Sequence, residues 1–230
     1  MTQKPEFPKA LVVSGKKGAG KDTLAPLIAK HLADADPVHM SFAGPLKDQI
    51  DTIMNLCREH TSPDAAAVAI SEWIGDAPDE VVSKLISILY DAVHADPLDH
   101  ARSHSPAAVA ALQYFGTQFR RAQDPDYWVK LAVANATQAI EKGQYPYFTD
   151  ARFPNEVQAL IDMGALAVRL ELTPEEQARR LQGRDGRVPD AKELNHQSET
   201  ALDGYTGFHI VIPCTDGVDK TLNMALALAA

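Results

Sequence analysis

Cysteine is scarce in this chain: Cys57 and Cys214 are the only two in 230 residues. Two thiols that far apart do not make the disulfide framework of a small secreted domain, so stability must come from apolar packing and a reducing, cytoplasmic setting is expected. Long apolar runs are also lacking. No stretch approaches the roughly 20 residues that span a bilayer, and Met1-Thr2-Gln3-Lys4-Pro5-Glu6-Phe7-Pro8 has no apolar centre of the kind a signal peptide needs. No membrane partner is expected. Positive charge is the minority sign, with 22 Lys and Arg against 31 Asp and Glu, a net charge of −9. Nucleic-acid polymers are held by basic surfaces, so this balance argues against a DNA- or RNA-coating protein. Repeats and low-complexity tracts are absent. Apolar residues make up 45% of the chain, enough to build one sizeable α/β domain and to exclude wholesale disorder.

Against that acidic background, lysines concentrate in one stretch, Leu11-Val12-Val13-Ser14-Gly15-Lys16-Lys17-Gly18-Ala19-Gly20-Lys21-Asp22-Thr23. Leu11 to Val13 reads as a buried parallel strand. Gly15, four residues, Gly20-Lys21 is the spacing of a P-loop, in which glycines let backbone N–H groups turn toward a phosphate with a helix N-terminus behind them. Gly15, Lys17, Gly18, Ala19, Gly20, Lys21, Asp22 and Thr23 are thus the candidate ATP-phosphate ligands. The position after Lys21 ordinarily carries Ser or Thr for magnesium. Here it is Asp22, followed by Thr23, so the metal ligand stands between Asp22, Thr23 and water.

Downstream, short apolar runs alternate with helical periodicity. Strands are expected at Val38–Phe42, Tyr145–Thr149, Ala165–Leu172 and Phe208–Ile212. Helices are expected after the loop, from Ala43, over 107–121, from Asp124 to Ile140, over 153–163, from Thr173 and over 218–229. Thr173-Pro174-Glu175-Glu176 reads as a capping box with proline at the first helical position. Alternation of this kind implies a parallel five-stranded sheet with helices on both faces, a three-layer P-loop NTP hydrolase-like sandwich. Residues 1–230 then form a single P-loop kinase domain. Residues 58–105, punctuated by Pro63, Pro78 and Pro97, form a helical insertion with helices near 65–73 and 80–95. His100 and His104 have a spacing that would suit a metal on a helix, but the surrounding prolines and serines favour a surface loop.

Ligands of such sheets collect beyond the carboxyl ends of the strands. Asp150, at the end of the third strand, is placed to meet magnesium or substrate, the alternative being a cap for the helix from Pro154. Arg152 is placed to bind an acceptor phosphate or to pair with Asp150. Arg179, Arg180, Arg184 and Arg187 crowd segment 173–190, and Asp185-Gly186 marks a turn. This is an Arg-rich lid able to neutralise phosphates, or else a solvated helix end. Lys47, Arg120 and Arg121 stand between acceptor phosphate and surface.

Five pieces in order resemble the phage-type deoxynucleoside monophosphate kinases: Gly15…Gly20-Lys21-Asp22-Thr23, Ser41-Phe42-Ala43-Gly44-Pro45-Leu46-Lys47, Leu112-Gln113-Tyr114-Phe115-Gly116-Thr117, Thr149-Asp150-Ala151-Arg152-Phe153-Pro154-Asn155-Glu156 and His196-Gln197-Ser198-Glu199. The Asp22-Thr23 ending is similar to what that family shows. The resemblance implies transfer of the ATP γ-phosphoryl to a dNMP with magnesium as cofactor. It implies Lys21, Arg152, Arg180 and Arg184 as catalytic residues, and adds Arg179 and the Thr215-Asp216-Gly217 loop on the ATP side. Ser41, Phe42, Lys47, Tyr114, Thr117, Arg120, Arg121, Asp150, Arg152 and Glu156 would serve the dNMP, and Asp150 would join Asp22 and Thr23 at the metal. Its partners would be small nucleotides, in the host cytoplasm if the protein is phage-encoded, with homodimerisation left open. The rival readings are another small-metabolite kinase, of phosphomevalonate or dephospho-coenzyme-A kinase type, and a switch or motor. The last class is disfavoured because Asn-Lys-x-Asp is missing and Asp150 is followed by Ala151 rather than Glu.

Overall fold

The computed structural model describes residues 8–33, 35–75, 77–95, 105–186, 194, 197–214 and 217–229. The chain divides into two compact units, Met1–Phe42 with Val129–Ala230, and Ala43–Trp128.

The first unit is built on five parallel strands, β1 (Ala10–Gly15), β2 (Pro37–Met40), β3 (Tyr145–Phe148), β4 (Ala165–Glu171) and β5 (Ile210–Pro213), in the order β2-β3-β1-β4-β5. All six residues of β1 are buried. A strand buried on both faces has no need of polar alternation, which is why Ala10–Val13 is uniformly apolar. The strand period of two sorts its residues between two cores. Leu11 and Val13 meet Leu166, Val168, Leu170, Ile210 and Ile212 under Leu24, Ala25, Ile28 and Ala29 of α1 (Lys21–Leu32) and Ala225 of α10 (Val218–Ala229). Ala10 and Val12 meet Phe148, Ala165 and Ala167 under Ala132 and Ala136 of α6 (Tyr127–Glu141) and Val157 and Leu160 of α7 (Pro154–Asp162). This is the three-layer α/β sandwich of a P-loop kinase-like fold. It sets Gly15, the Ser41 turn, Asp150 and Leu172 at the carboxyl edge of the sheet.

Two strands differ from the sequence expectation for side-chain reasons. β2 stops at Met40, because the Ser41 hydroxyl and the Phe42 N–H are taken by Asp150. β5 starts at Ile210 rather than Phe208. The His209 ring accepts the Ala167 N–H through Nδ1 at 2.9 Å while the His209 N–H reaches the Ala167 carbonyl at 2.9 Å, so a side chain stands in for a strand rung. The remaining elements of this unit are α8 (Pro174–Asp185) and the short α9 (Gln197–Thr200). Thr173 caps α8 through its hydroxyl at 3.2 Å from the Glu176 N–H, as expected. The other half of the expected capping box gives way, since the Glu176 carboxylate is taken by Arg179 and Arg180.

The second unit holds α2 (Gly44–Glu59), α3 (Pro63–Ile74), α4 (Asp79–Ala95) and α5 (Pro106–Gln113), followed by a π-helical segment, Tyr114–Arg121. The helix read over 107–121 is therefore two windings. Widening frees carbonyls from the α ladder, and the Trp128 Nε1–H donates to the Gly116 carbonyl at 3.0 Å. A Cβ on Gly116 would lie 2.6 Å from Leu46 Cδ2, so glycine lets α2 approach. Cys57 and Cys214 are buried and free. Among the described residues no helix is long and apolar enough to cross a membrane.

Gly15 is held to glycine by close packing. A Cβ there would fall 2.8 Å from Ala19 Cβ and 3.0 Å from the Leu170 carbonyl oxygen, whereas one on Gly204 meets nothing within 4 Å. Gly15→Ala is expected to cost about 1–3 kcal/mol by overpacking, and Gly204→Ala no more than about 0.5 kcal/mol. Urea denaturation midpoints of the two variants check the contrast.

Candidate active site

The loop between β1 and α1 turns through Gly18 at φ 89° and Gly20 at φ 86°, left-handed backbone that favours glycine. Gly20 is the N-cap of α1 and supplies no side-chain cap, while the Thr23 and Leu24 N–H groups return to its carbonyl. The helix therefore presents its first amides and its positive end to an outside anion. Lys17, Gly18, Gly20, Lys21, Asp22, Thr23, Arg180 and Arg184 line a cavity of about 410 Å³ there. Among the described residues its lining carries Lys17, Lys21, Arg180 and Arg184 with one carboxylate, that of Asp22.

The Lys21 side chain is 12% exposed, and among the described residues its ion-pair contact is with an Asp22 carboxylate oxygen 3.8 Å away. Burial lowers the Lys21 pKa; Asp22 and Glu199 work against that, while Arg152 and Arg184 add to it. An ammonium so placed is short of compensating negative charge, and a phosphate in the cavity supplies it.

Arg180 braces this loop. Its Nε bonds Glu176 at 2.6 Å, Nη1 reaches the Gly18 carbonyl at 3.3 Å, and Nη2 donates to the Cys214 carbonyl at the end of β5. The neighbouring Arg179 is 73% exposed and pairs with Glu176 at 2.7 Å. Of the four expected lid arginines, Arg180 and Arg184 line the cavity, Arg179 faces solvent, and Arg187 lies outside the described residues, as do Thr215, Asp216, His196, His100 and His104. Gly217 has φ 91° ahead of α10.

Asp150 does not cap α7. It accepts the Ser41 hydroxyl at 2.5 Å and the Phe42 N–H at 3.1 Å, pinning the turn after β2. The cap comes instead from buried Glu156, whose Oε2 accepts the Arg152 and Phe153 N–H groups at 2.7 and 3.1 Å. Nor does Arg152 pair with Asp150: its guanidinium bonds Glu199 at 2.6 Å.

In the second unit Lys47 and Thr117 are exposed and Arg121 is half-buried. The Arg120 guanidinium stacks on Phe115, Phe119 and Tyr127 at 5.3, 4.8 and 4.9 Å from the ring centres. Tyr114 lines a cavity of about 500 Å³ with Glu80, Ser83, Lys84 and Ser87. Its hydroxyl pKa is raised by burial and then by Glu80.

Four residues that hold the P-loop were given no role by sequence reasoning; Glu199 was seen as part of a motif, and the other three were missed. Glu199 accepts the Lys17 N–H at 3.2 Å, Gln177 donates to the Lys17 carbonyl at 3.0 Å, and Asp203 pairs with Lys16 at 2.9 Å. Arg169 bonds Ser14 at 2.9 Å and Asp203 at 3.1 Å. Arg169 had a visible signal, a charge inside an apolar strand. Asp203 had none.

The sequence profile of the Zeta toxin family matches residues 1–114, just under half of the chain. No curated protein matches the sequence. Among solved structures the chain is similar to a gluconokinase from Sinorhizobium meliloti 1021, at 15% identity and a TM-score of 0.47, covering 97% of this chain and 92% of that one. It is also similar to a sugar kinase from Janibacter sp. HTCC2649 in an unliganded structure, at 15% identity and a TM-score of 0.45, covering 100% and 99%. At that distance neither bears on the substrate. The fold assignment stands on the strand order and the loop.

Arg180→Ala is expected to destabilise by about 1–3 kcal/mol through two carbonyls and a carboxylate left behind, and Arg179→Ala by less than about 0.5 kcal/mol as an exposed pair. Thermal denaturation separates them. The Glu176 carboxyl is held down to about 2 by hydrogen bonds from Arg179 and Arg180. A depressed folded-state pKa gives stability that is present above about pH 4.5 and is lost as the pH falls toward 2. Glu176→Gln should flatten that part of the stability–pH curve, read by denaturant titration between pH 5 and 2.5.

Proposed function

We propose that the chain is an ATP-dependent small-molecule kinase that transfers the γ-phosphoryl of ATP to a deoxynucleoside monophosphate, releasing dNDP and ADP. The observation that carries the kinase reading is the half-buried Lys21 ammonium in a cavity lined by cations at an uncapped helix N-terminus. The dNMP as acceptor rests on the Ser41–Lys47, Leu112–Thr117, Thr149–Glu156 and His196–Glu199 resemblance.

Phosphoryl transfer asks for placement and neutralisation rather than covalent help from the protein. Lys21 and the first amides of α1 hold the outer phosphates, and Arg180 and Arg184 offset their charge. An oxygen of the acceptor phosphate attacks the γ-phosphorus in line. The bond from that phosphorus to the β–γ bridging oxygen breaks, and its electron pair leaves with ADP. Arg152, bonded to Glu199 beside the Lys17 amide, takes the role at the transferring group that the resemblance implies, and Asp150 fixes the Ser41–Phe42 turn, which the resemblance puts on the acceptor side.

The donor set at the cavity fits magnesium, a hard cation that takes oxygen ligands and keeps only one or two from protein in such sites. Asp22, 76% exposed, and Thr23 both line the cavity, whereas both Asp150 oxygens are already engaged. Asp22 and Thr23 would hold the ion, which when bound supplies charge neutralisation across the outer phosphates.

A coupled ADP-release assay with ATP, magnesium and a panel of dNMPs, NMPs, sugars and other hydroxyl acceptors tests this. Turnover is expected with at least one dNMP; turnover confined to a non-nucleotide acceptor overturns the dNMP assignment. Lys21→Ala should lose at least about 100-fold in kcat/KM, roughly 2.7 kcal/mol, with an unchanged circular dichroism spectrum. Retained turnover would remove the loop from the mechanism.

A further inference from the structure

The Glu199 carboxylate lies where two parts of the P-loop surroundings meet. Its Oε2 accepts the backbone N–H of Lys17 at 3.2 Å, and its Oε1 accepts from Arg152 Nη1 at 2.6 Å. The Glu199 side chain is 17% exposed and Arg152 34%. Arg152 starts from a fixed point, because its own N–H is bonded by buried Glu156. The Lys21 ammonium feels the charges of both Arg152 and Glu199. Yet neither Glu199 nor Arg152 is among the described residues that line the Lys21 cavity.

We infer that Glu199 is a positioning residue: it ties the Arg152 guanidinium to the P-loop backbone at Lys17 and so aims Arg152 at the phosphoryl group held by Lys21. A negative charge beside an anion-binding loop opposes phosphate unless it is neutralised and kept out of the cavity, and Glu199 meets both conditions through Arg152. The plain alternative is an ion pair that only staples the fold. The short, half-buried geometry and the use of the second oxygen on a loop amide speak against it. This inference rests on reading the loop as a phosphoryl-transfer site.

The test is a double-mutant cycle of Glu199→Gln and Arg152→Ala in the full chain. Glutamine keeps an oxygen for the Lys17 N–H but turns an amide donor toward the Arg152 donors, so it breaks one bond of the two. Rates are read for dNMP phosphorylation and for slow ATP hydrolysis, ATP affinity by calorimetry and folding by thermal melting. Glu199→Gln is expected to lower kcat about tenfold (1.4 kcal/mol) with the ATP Kd within about twofold and the melting temperature little changed. Glu199→Asp, which keeps the charge, should recover part of the loss. The double variant should be no slower than Arg152→Ala alone. Additive losses, a kcat unchanged in Glu199→Gln, or a loss confined to ATP affinity or melting temperature would overturn it. If the wild-type protein accepts no dNMP, the substrate assignment fails and the cycle is decided on ATP hydrolysis. If it binds no ATP, both readings fall.

Discussion

The arrangement of the loop in the first unit turns on one electrostatic constraint, a half-buried lysine ammonium at the start of a helix. Lys21 sits at the end of α1 where backbone partial charge is already positive, and burial has lowered its pKa. Such a group is costly to keep charged unless an anion is brought to it. Everything around it defers that compensation. Gly20 caps α1 without a side chain, and the Asp22 carboxylate stops 3.8 Å away. The loop is thus built to be satisfied by a ligand rather than by the protein.

A loop in that condition must be held by its outer side, and the chain does this from segments far away in sequence. Gln177 and Arg180 of α8 grip the carbonyls of Lys17 and Gly18. Glu199 takes the Lys17 amide, and Asp203 takes the Lys16 ammonium. Arg180 also reaches the carbonyl of Cys214, so α8 joins the loop to the end of β5. Two of the arginines expected to act as a lid differ in kind. Arg180 is a brace that also lines the cavity, while Arg179 is a solvent-facing partner of Glu176.

The sheet and its helices were legible because their signals are local. Val12 and Val13 before the glycines, Thr173-Pro174 before α8 and Gly164 after α7 announce elements within a few residues of themselves. What was not legible is decided by contacts made across the chain. Ser41 and Phe42 read as strand, but Asp150 draws them off. Phe208 reads as strand, but the His209 ring fills a rung. Residues 114–121 carry ordinary helical periodicity, and the approach of Leu46 to Gly116 and the Trp128 bond to its carbonyl, both from outside the segment, accompany the wider winding. In the site, the glycines and Lys21 were readable from spacing. Glu199 was visible only as part of a motif without a role, and the work of Asp203 depends on a fold that brings residue 203 to residue 16.

The pairing of charges around the loop separates acids held in short ion pairs from one that is not. Glu176 is taken by Arg179 and Arg180, Glu199 by Arg152, and Asp203 by Lys16 and Arg169, each at 3.1 Å or less. These acids are neutralised where they stand, in a chain of net charge −9. Asp22 differs in both respects: its approach to Lys21 is longer and its side chain is mostly exposed on the cavity side. The residue that breaks the ordinary P-loop spelling is thus, among the described acids here, the one with the longer ion-pair contact and the mostly exposed side chain, and the proposed magnesium site rests on that placement.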